Sequence, residues 1–279
     1  MIVRRAFLAG TAVAFACSRA VFAQPNRLSF SGPLEQGSLV IGRTEAGASV
    51  TVDSVPVRVS PQGLFAFGFE YNQTKPTKIA ARFSDGTMET QSVTPKVRMY
   101  EIQRITGLPE KYVTPPANVI ERIKREGAEI AHARMRDTGE SWFADAFDWP
   151  VAGIISGTWG NQRILNGEPR EPHFGVDIAA AQGTPIHAPA DGIVSLAQPD
   201  FYLDGGITLL DHGHGVSTVY IHQSKLLVKA NQRVTRGQVI GLVGMTGRAT
   251  GPHLHWAMNW FQVKLDPSRS TRTPAPPKS

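Results

Sequence analysis

Short apolar stretches separated by turn residues recur through the first third of the chain, at 39–41, 49–52, 55–59, 64–69, 78–83 and 87–93. Runs this short, bounded by Gly, Pro, Asp and Ser, are the pattern of strands rather than of helices. Phe65, Phe67 and Phe69 alternate with smaller residues, so the three rings fall on one face of their strand. Asp85-Gly86 supplies a hairpin turn. The pattern predicts a small antiparallel β-sandwich over 24–95. No acid–base cluster falls within it, which points to a spacer or docking module.

The periodicity then changes. Pro109, Pro115 and Pro116 interrupt the chain, after which Val119, Ile120, Ile123, Gly127, Ile130 and Ala131 follow helical spacing. One amphipathic connecting helix is expected over 117–136, within a linker at 96–147. His132 lies off the apolar stripe and reads as a solvated residue. The aromatic segment 142–149 is expected to pack the helix onto the C-terminal domain. From 148 to 266 glycine and β-branched residues dominate, with strands indicated at 184–187, 192–196, 207–211, 217–221, 238–243 and 253–259. Few positions there look helical, so the whole chain is expected to be mostly β. The prolines and hydroxyl residues of 267–279 predict a disordered tail.

The N-terminus reads differently. Arg4 and Arg5 precede an apolar run at 6–17, and Val21-Phe22-Ala23 suits cleavage before Gln24. The run is too short for a bilayer span, which needs roughly 20 residues, so 1–23 is expected to be a removable export signal. Arg4-Arg5-Ala6-Phe7-Leu8 resembles a twin-arginine signal, with general secretion as the other route. The mature chain is therefore expected in the periplasm or cell envelope, without a membrane span. Ala14-Phe15-Ala16 is a poor lipobox ahead of Cys17, so lipidation is not expected.

Cys17 is the sole cysteine, so the mature chain has neither a disulfide nor a thiolate for a metal, and any metal site must use histidine and carboxylate. Removing the signal takes away Arg4, Arg5 and Arg19 and no acidic residue, which lowers the net charge from +6 to +3. That balance selects no partner by itself, and the interleaved aromatic and basic residues of a nucleic-acid groove are not seen.

Candidate chemistry concentrates in one stretch. Seven of the eight histidines lie between His173 and His255. His173 and Asp177, four residues apart beside an apolar segment, could chelate one cation or form a surface ion pair. In His253-Leu254-His255 the two imidazoles share one face of a strand, where they could meet in one site or stand half-exposed. His222 ends an expected strand. His212-Gly213-His214 copies the useful spacing, but its glycines indicate a turn, and His187 reads as a packed or rim residue. Zinc suits this inventory, because a catalytic zinc commonly takes three nitrogen or oxygen ligands and keeps a position for water.

Taken together, His173-x-x-x-Asp177 followed by His253-x-His255 resembles the signature of the lysostaphin-like (LytM-type) zinc metallopeptidases. The likeness extends through residues 173–194 and the glycine-rich block from Gly237 to Gly247, and covers most of 157–260. It implies that His173, Asp177 and His255 are the Zn2+ ligands and that His222 and His253 are the catalytic histidines. It also implies a β-rich duplicated hybrid motif, like a barrel-sandwich, with a groove across the sheet that carries the zinc. Gln223 departs from the leucine common after the family's histidine. The implied activity is zinc-dependent endopeptidase cleavage of peptidoglycan cross-links by a zinc-bound water, with cell-division or wall-hydrolase proteins as candidate partners.

Two other readings compete with this one. Some relatives lack ligands and only activate other wall hydrolases, so a non-catalytic murein-binding activator is the alternative. The block around Val234-Thr235-Arg236-Gly237-Gln238 also suggests a biotinyl or lipoyl carrier, but no lysine stands in the required context.

Overall fold

The computed structural model describes residues 27–107 and 109–278. The signal segment expected at 1–23 lies outside them. Among the described residues no helix is long and apolar enough to cross a membrane.

Two small sheets form the N-terminal region. Ser29–Ser31, Leu39–Arg43 and Leu64–Gly68 make one; the other runs in the order Val55–Val57, Ser49–Val52, Thr77–Arg82, Met88–Val93. All their pairings are antiparallel. The alternating Phe65, Phe67 and Phe69 are fully buried between them with Leu28, Val40, Val50 and Ile79. Phe67 meets Phe30 and Phe69 edge-on, with ring centroids 5.5 and 5.6 Å apart.

The linker is more structured than its proline content suggests. Ile102–Ile105 pairs in parallel with Gln162–Leu165 and so joins a three-stranded sheet with Glu168–Pro169. The helix spans Ala117–Arg134, with Pro116 at its N-cap. Its fully buried positions are Glu126 and Ala133; of the expected stripe, Val119, Ile120, Ile123, Ile130 and Ala131 are half-buried and Gly127 is exposed. Glu126 can be buried because Arg122 Nε donates to it at 2.6 Å and the Tyr202 amide at 2.8 Å. His132 is exposed. The aromatics at 142–149 do not serve the helix: Phe143 and Phe147 enter the core of the C-terminal domain, and Trp149 packs edge-on against Trp256.

The C-terminal region is built on an antiparallel sheet. Its strand order is Arg233–Val234, Gly192–Phe201, Gly205–Asp211, Val216–Gln223, His253–Trp260, Val176–Ala179, Ile154–Gly157, and Val263–Leu265 pairs beside His253–Trp260. A second sheet, Pro185–His187, Val239–Leu242 and Lys225–Leu226, lies apart from it. Alternation divides the large sheet into two faces. Tyr220, Leu254, Trp256 and Met258 enter the main core, whereas Val219, Ile221 and Ala257 pack with Ile130 and Ala133 of the helix. Leu39 and Ala66 of the sandwich reach the main core, and Arg98 of the linker pairs with buried Asp266 at 2.8 Å.

Residues 267–278, where composition predicted disorder, lie against the domain. Phe147 N donates to Ser270 O at 2.8 Å, Arg272 N to Phe147 O at 2.9 Å, and Ile155 N to Pro277 O at 2.8 Å. The last contact covers the exposed edge of the Ile154–Gly157 strand. Backbone groups make these contacts, and an unpaired sheet edge supplies partners to almost any sequence.

Candidate metal and catalytic site

His253 and His255 project from one face of the His253–Trp260 strand, while Leu254 and Trp256 enter the core on the other. Asp177 lies on the adjacent strand directly opposite His255. His173 precedes that strand and is anchored by its own amide, which donates to Asn161 O at 2.8 Å. Three potential ligand atoms meet here. His173 Nε2 lies 2.9 Å from His255 Nδ1 and 3.0 Å from Asp177 Oδ1, and His255 Nδ1 lies 2.8 Å from the same oxygen. His173, Asp177 and His255 are the one group of three or more potential ligands found among the described residues.

Two glycines make the cluster possible. A Cβ at Gly175 would overlap the His255 ring, and one at Gly157 would overlap the Asp177 carboxylate. The close approach of these backbones leaves the room that the ligand side chains fill.

His222 reaches the site by a different route. Strict alternation would turn it toward the core with Tyr220. Instead it adopts the left-handed region, with φ 64°, and its ring stands 4.8 Å from that of His253. Its amide donates to Asp204 O at 2.8 Å, which holds the strand end in that conformation.

Backbone carbonyls set the tautomers. Nδ1 of His173, His222 and His253 lies 3.0, 2.8 and 2.8 Å from the carbonyl oxygens of Thr158, Thr246 and Gly251, respectively. Each Nδ1 therefore carries the proton, and each Nε2 is left with a free lone pair. Arg163, from the strand paired with the linker, donates to Asp177 Oδ2 and leaves Oδ1 facing the imidazoles. Burial works against ionisation of Asp177, but His173, Arg163 and His255 hold its carboxyl well below the usual range. Burial pushes His255 down to about 4 against the pull of Asp177. Burial, with neighbouring His253 and His255, also holds His222 well below its ordinary value. His222 and His255 are therefore neutral at pH 7, as proton acceptance and metal ligation require.

The donor set fits a divalent cation. With Nδ1 of His173 protonated, His173 Nε2 and Asp177 Oδ1 are both acceptors, and one proton on His255 Nδ1 cannot satisfy both. A cation bound by two nitrogens and one carboxylate oxygen resolves the conflict, and this ligand type suits zinc.

The other histidines are engaged elsewhere. His212 is buried, with Nδ1 2.7 Å from Asp191 O and Nε2 2.7 Å from Thr218 Oγ1. His214 sits in the turn, at φ 51°, beside the Phe143 ring. His187 is exposed, with Nδ1 2.9 Å from Gly237 O. A cavity of about 390 Å³ opens beside the site and is lined by His173, His222 and His255 together with Arg163, Arg170 and Arg248. A larger one, about 630 Å³, lies between the linker and the C-terminal segment and contains none of the site residues. The sequence reading missed the arginines and the orienting carbonyls, for which no motif exists.

A carboxylate and two imidazoles converge on one point, with two further imidazoles alongside, on a glycine-rich β-domain. Residues 171–267 match Peptidase family M23. An uncharacterized metalloprotease of Haemophilus influenzae is 46% identical over 111 residues, 37% of this chain and 23% of that protein. The peptidoglycan DD-endopeptidase ShyA of Vibrio cholerae is 47% identical over 87 residues, 31% of this chain and 20% of that protein. The match spans about a fifth of the length of these curated relatives. A solved structure from Pseudomonas aeruginosa, assigned to peptidase M23, superposes with a TM-score of 0.64 at 29% identity, covering 85% of this chain and 94% of that one. That likeness therefore extends well beyond the family segment.

Proposed function

We propose that this protein is a zinc-dependent endopeptidase of the cell envelope that hydrolyses the peptide cross-links of bacterial peptidoglycan. The observation that carries the reading is the convergence of His173 Nε2, Asp177 Oδ1 and His255 Nδ1 beside two imidazoles with free Nε2 atoms. The substrate class is supported by relatives that include a peptidoglycan DD-endopeptidase. His173, Asp177 and His255 would hold the zinc, which would supply a Lewis acid for the scissile carbonyl and a water acidic enough to attack near neutral pH.

The chain's own residues do the rest. His222 and His253, each fixed through Nδ1–H, present Nε2 to the same space. One of them accepts the proton of the attacking water at Nε2; that Nε2–H then donates to the developing oxyanion and gives the proton up to the leaving amine. Arg163 neutralises the far oxygen of Asp177 and keeps the near one aimed at the ligand set.

The test is incubation of zinc-loaded protein with purified cross-linked peptidoglycan, with and without a strong chelator, then mass analysis of released fragments. New amino termini at cross-links, abolished by chelator, are expected. Folded, zinc-containing protein that cleaves nothing would overturn the reading in favour of an activator of other wall hydrolases.

A further inference from the structure

The wall of the cavity beside the ligand set is rich in guanidinium groups, and one of them has no partner. Arg163 is occupied by Asp177, and Arg170 Nη2 donates to Val113 O at 2.8 Å. The Arg248 guanidinium makes no hydrogen bond or ion pair with any described residue, although it lines the same cavity. It also lines a smaller pocket of about 60 Å³ that includes Asp177, His222 and His253. Its backbone is fixed: Arg248 N donates to Leu203 O at 2.8 Å, and Gly247 before it holds a φ of 67°. The side chain is half-buried.

Arg248 is placed where an anion would be most welcome. Burial and the charge of Arg163 push its guanidinium below the ordinary value, Arg170 adds to the effect, and Asp204 opposes it. A neighbouring cavity of about 160 Å³ sets Arg134 and Lys264 beside Glu171 and Asp204. There Arg134 Nε is buried without a partner.

We propose that Arg248 is a specificity-determining residue that binds a free carboxylate of the substrate peptide beside the scissile bond. This rests on the peptidase reading. A carboxylate is the anion that a stem peptide carries, and a planar guanidinium meets it with two parallel N–H···O bonds. Binding there would anchor one end of the substrate next to His222 and so orient the scissile bond.

The test uses a synthetic cross-linked stem-peptide dimer in three forms: all carboxylates free, the chain-terminal carboxylates amidated, and the side-chain carboxylates amidated. Binding to the metal-free full chain is measured by NMR titration, and hydrolysis by the zinc-loaded chain is measured in parallel. One of the two amidations is expected to weaken binding and to raise KM by about ten- to a hundredfold, the loss typical of a charged hydrogen-bonded contact. Which amidation does so names the carboxylate. Arg248→Gln should produce the same loss with the free acid and little further loss with that amide, with kcat less affected than KM, while Arg248→Lys restores part of the binding. Equal binding of all three forms by the unmodified chain would overturn the proposal even if hydrolysis proceeds. Discrimination in binding without hydrolysis of any form would instead leave Arg248 assigned and remove the endopeptidase reading.

Discussion

The sandwich and the C-terminal domain both bury uncharged polar side chains, but only the C-terminal domain adds buried histidines and aspartates. In the sandwich the buried polar residues are Gln36, Ser38, Thr44, Ser60 and Thr77, all uncharged, around a core of phenylalanines. The peptidase domain buries His173, Asp177, Asp211, His212, His214, His222 and Asp266. Burial of ionisable groups is costly unless each finds a charge, a hydrogen bond or a metal. The sandwich therefore owes its fold to apolar contact, whereas the C-terminal domain also gathers buried ionisable groups, three of which, His173, Asp177 and His255, could hold a metal ion.

Metal loss gives the sharpest form of this contrast. Ala in place of His173, Asp177 or His255 is expected to abolish metal retention and hydrolysis together while the sandwich stays folded. Metal analysis of the purified variants, alongside circular dichroism, checks it, and a variant that retains stoichiometric zinc would dissolve the distinction. Next in size, His222→Ala should keep zinc but slow hydrolysis by roughly 10²- to 10⁴-fold, the usual contribution of a positioned acid–base group. Loss of zinc in that variant would move His222 into the ligand set.

On the sandwich side, Phe67→Ala removes a fully buried ring and should destabilise by about 3–5 kcal/mol. Urea unfolding measures the loss, and zinc content of the folded fraction should not change. The smallest effect expected concerns pH and His212, which burial holds at about 4 in the folded chain. Its unfolded value is about 6.5. Because the folded value is the lower one, the contribution to stability is fully present above pH 6.5 and fades as pH falls toward 4. By pH 4.5 roughly 2 kcal/mol should be gone. An NMR titration that finds His212 at its ordinary value in the folded protein would remove this term.

The residues that proved legible share a property: their neighbours in sequence are also their neighbours in chemistry. Phe65, Phe67 and Phe69 carry their own period, and His253 and His255 share a face because strands alternate. Asp177 and His173 lie close enough in sequence to suggest a pair, and the structure brings them together with His255. What stayed hidden depends on long-range approach. Arg163 reaches Asp177 only because the linker strand Ile102–Ile105 pairs alongside its own, and no local signal encodes that pairing. Thr158, Thr246 and Gly251 act through backbone carbonyls, which every residue has. His222 was readable as a strand-end histidine, but the left-handed turn that redirects its ring was not. The tail was misread because composition reports what a segment lacks and not whether a sheet edge waits for it.

The strand that carries His253 and His255 presents Leu254, Trp256 and Met258 to the core on alternate positions. A slip of one residue would exchange the two sets, exposing the indole and burying the imidazoles. Placement of the imidazoles and burial of the core are thus read from the same registration, so a molecule assembled out of step would lose its packing together with its site. The strand acts as its own proofreader: it leaves few well-packed copies in which the histidines face the wrong way.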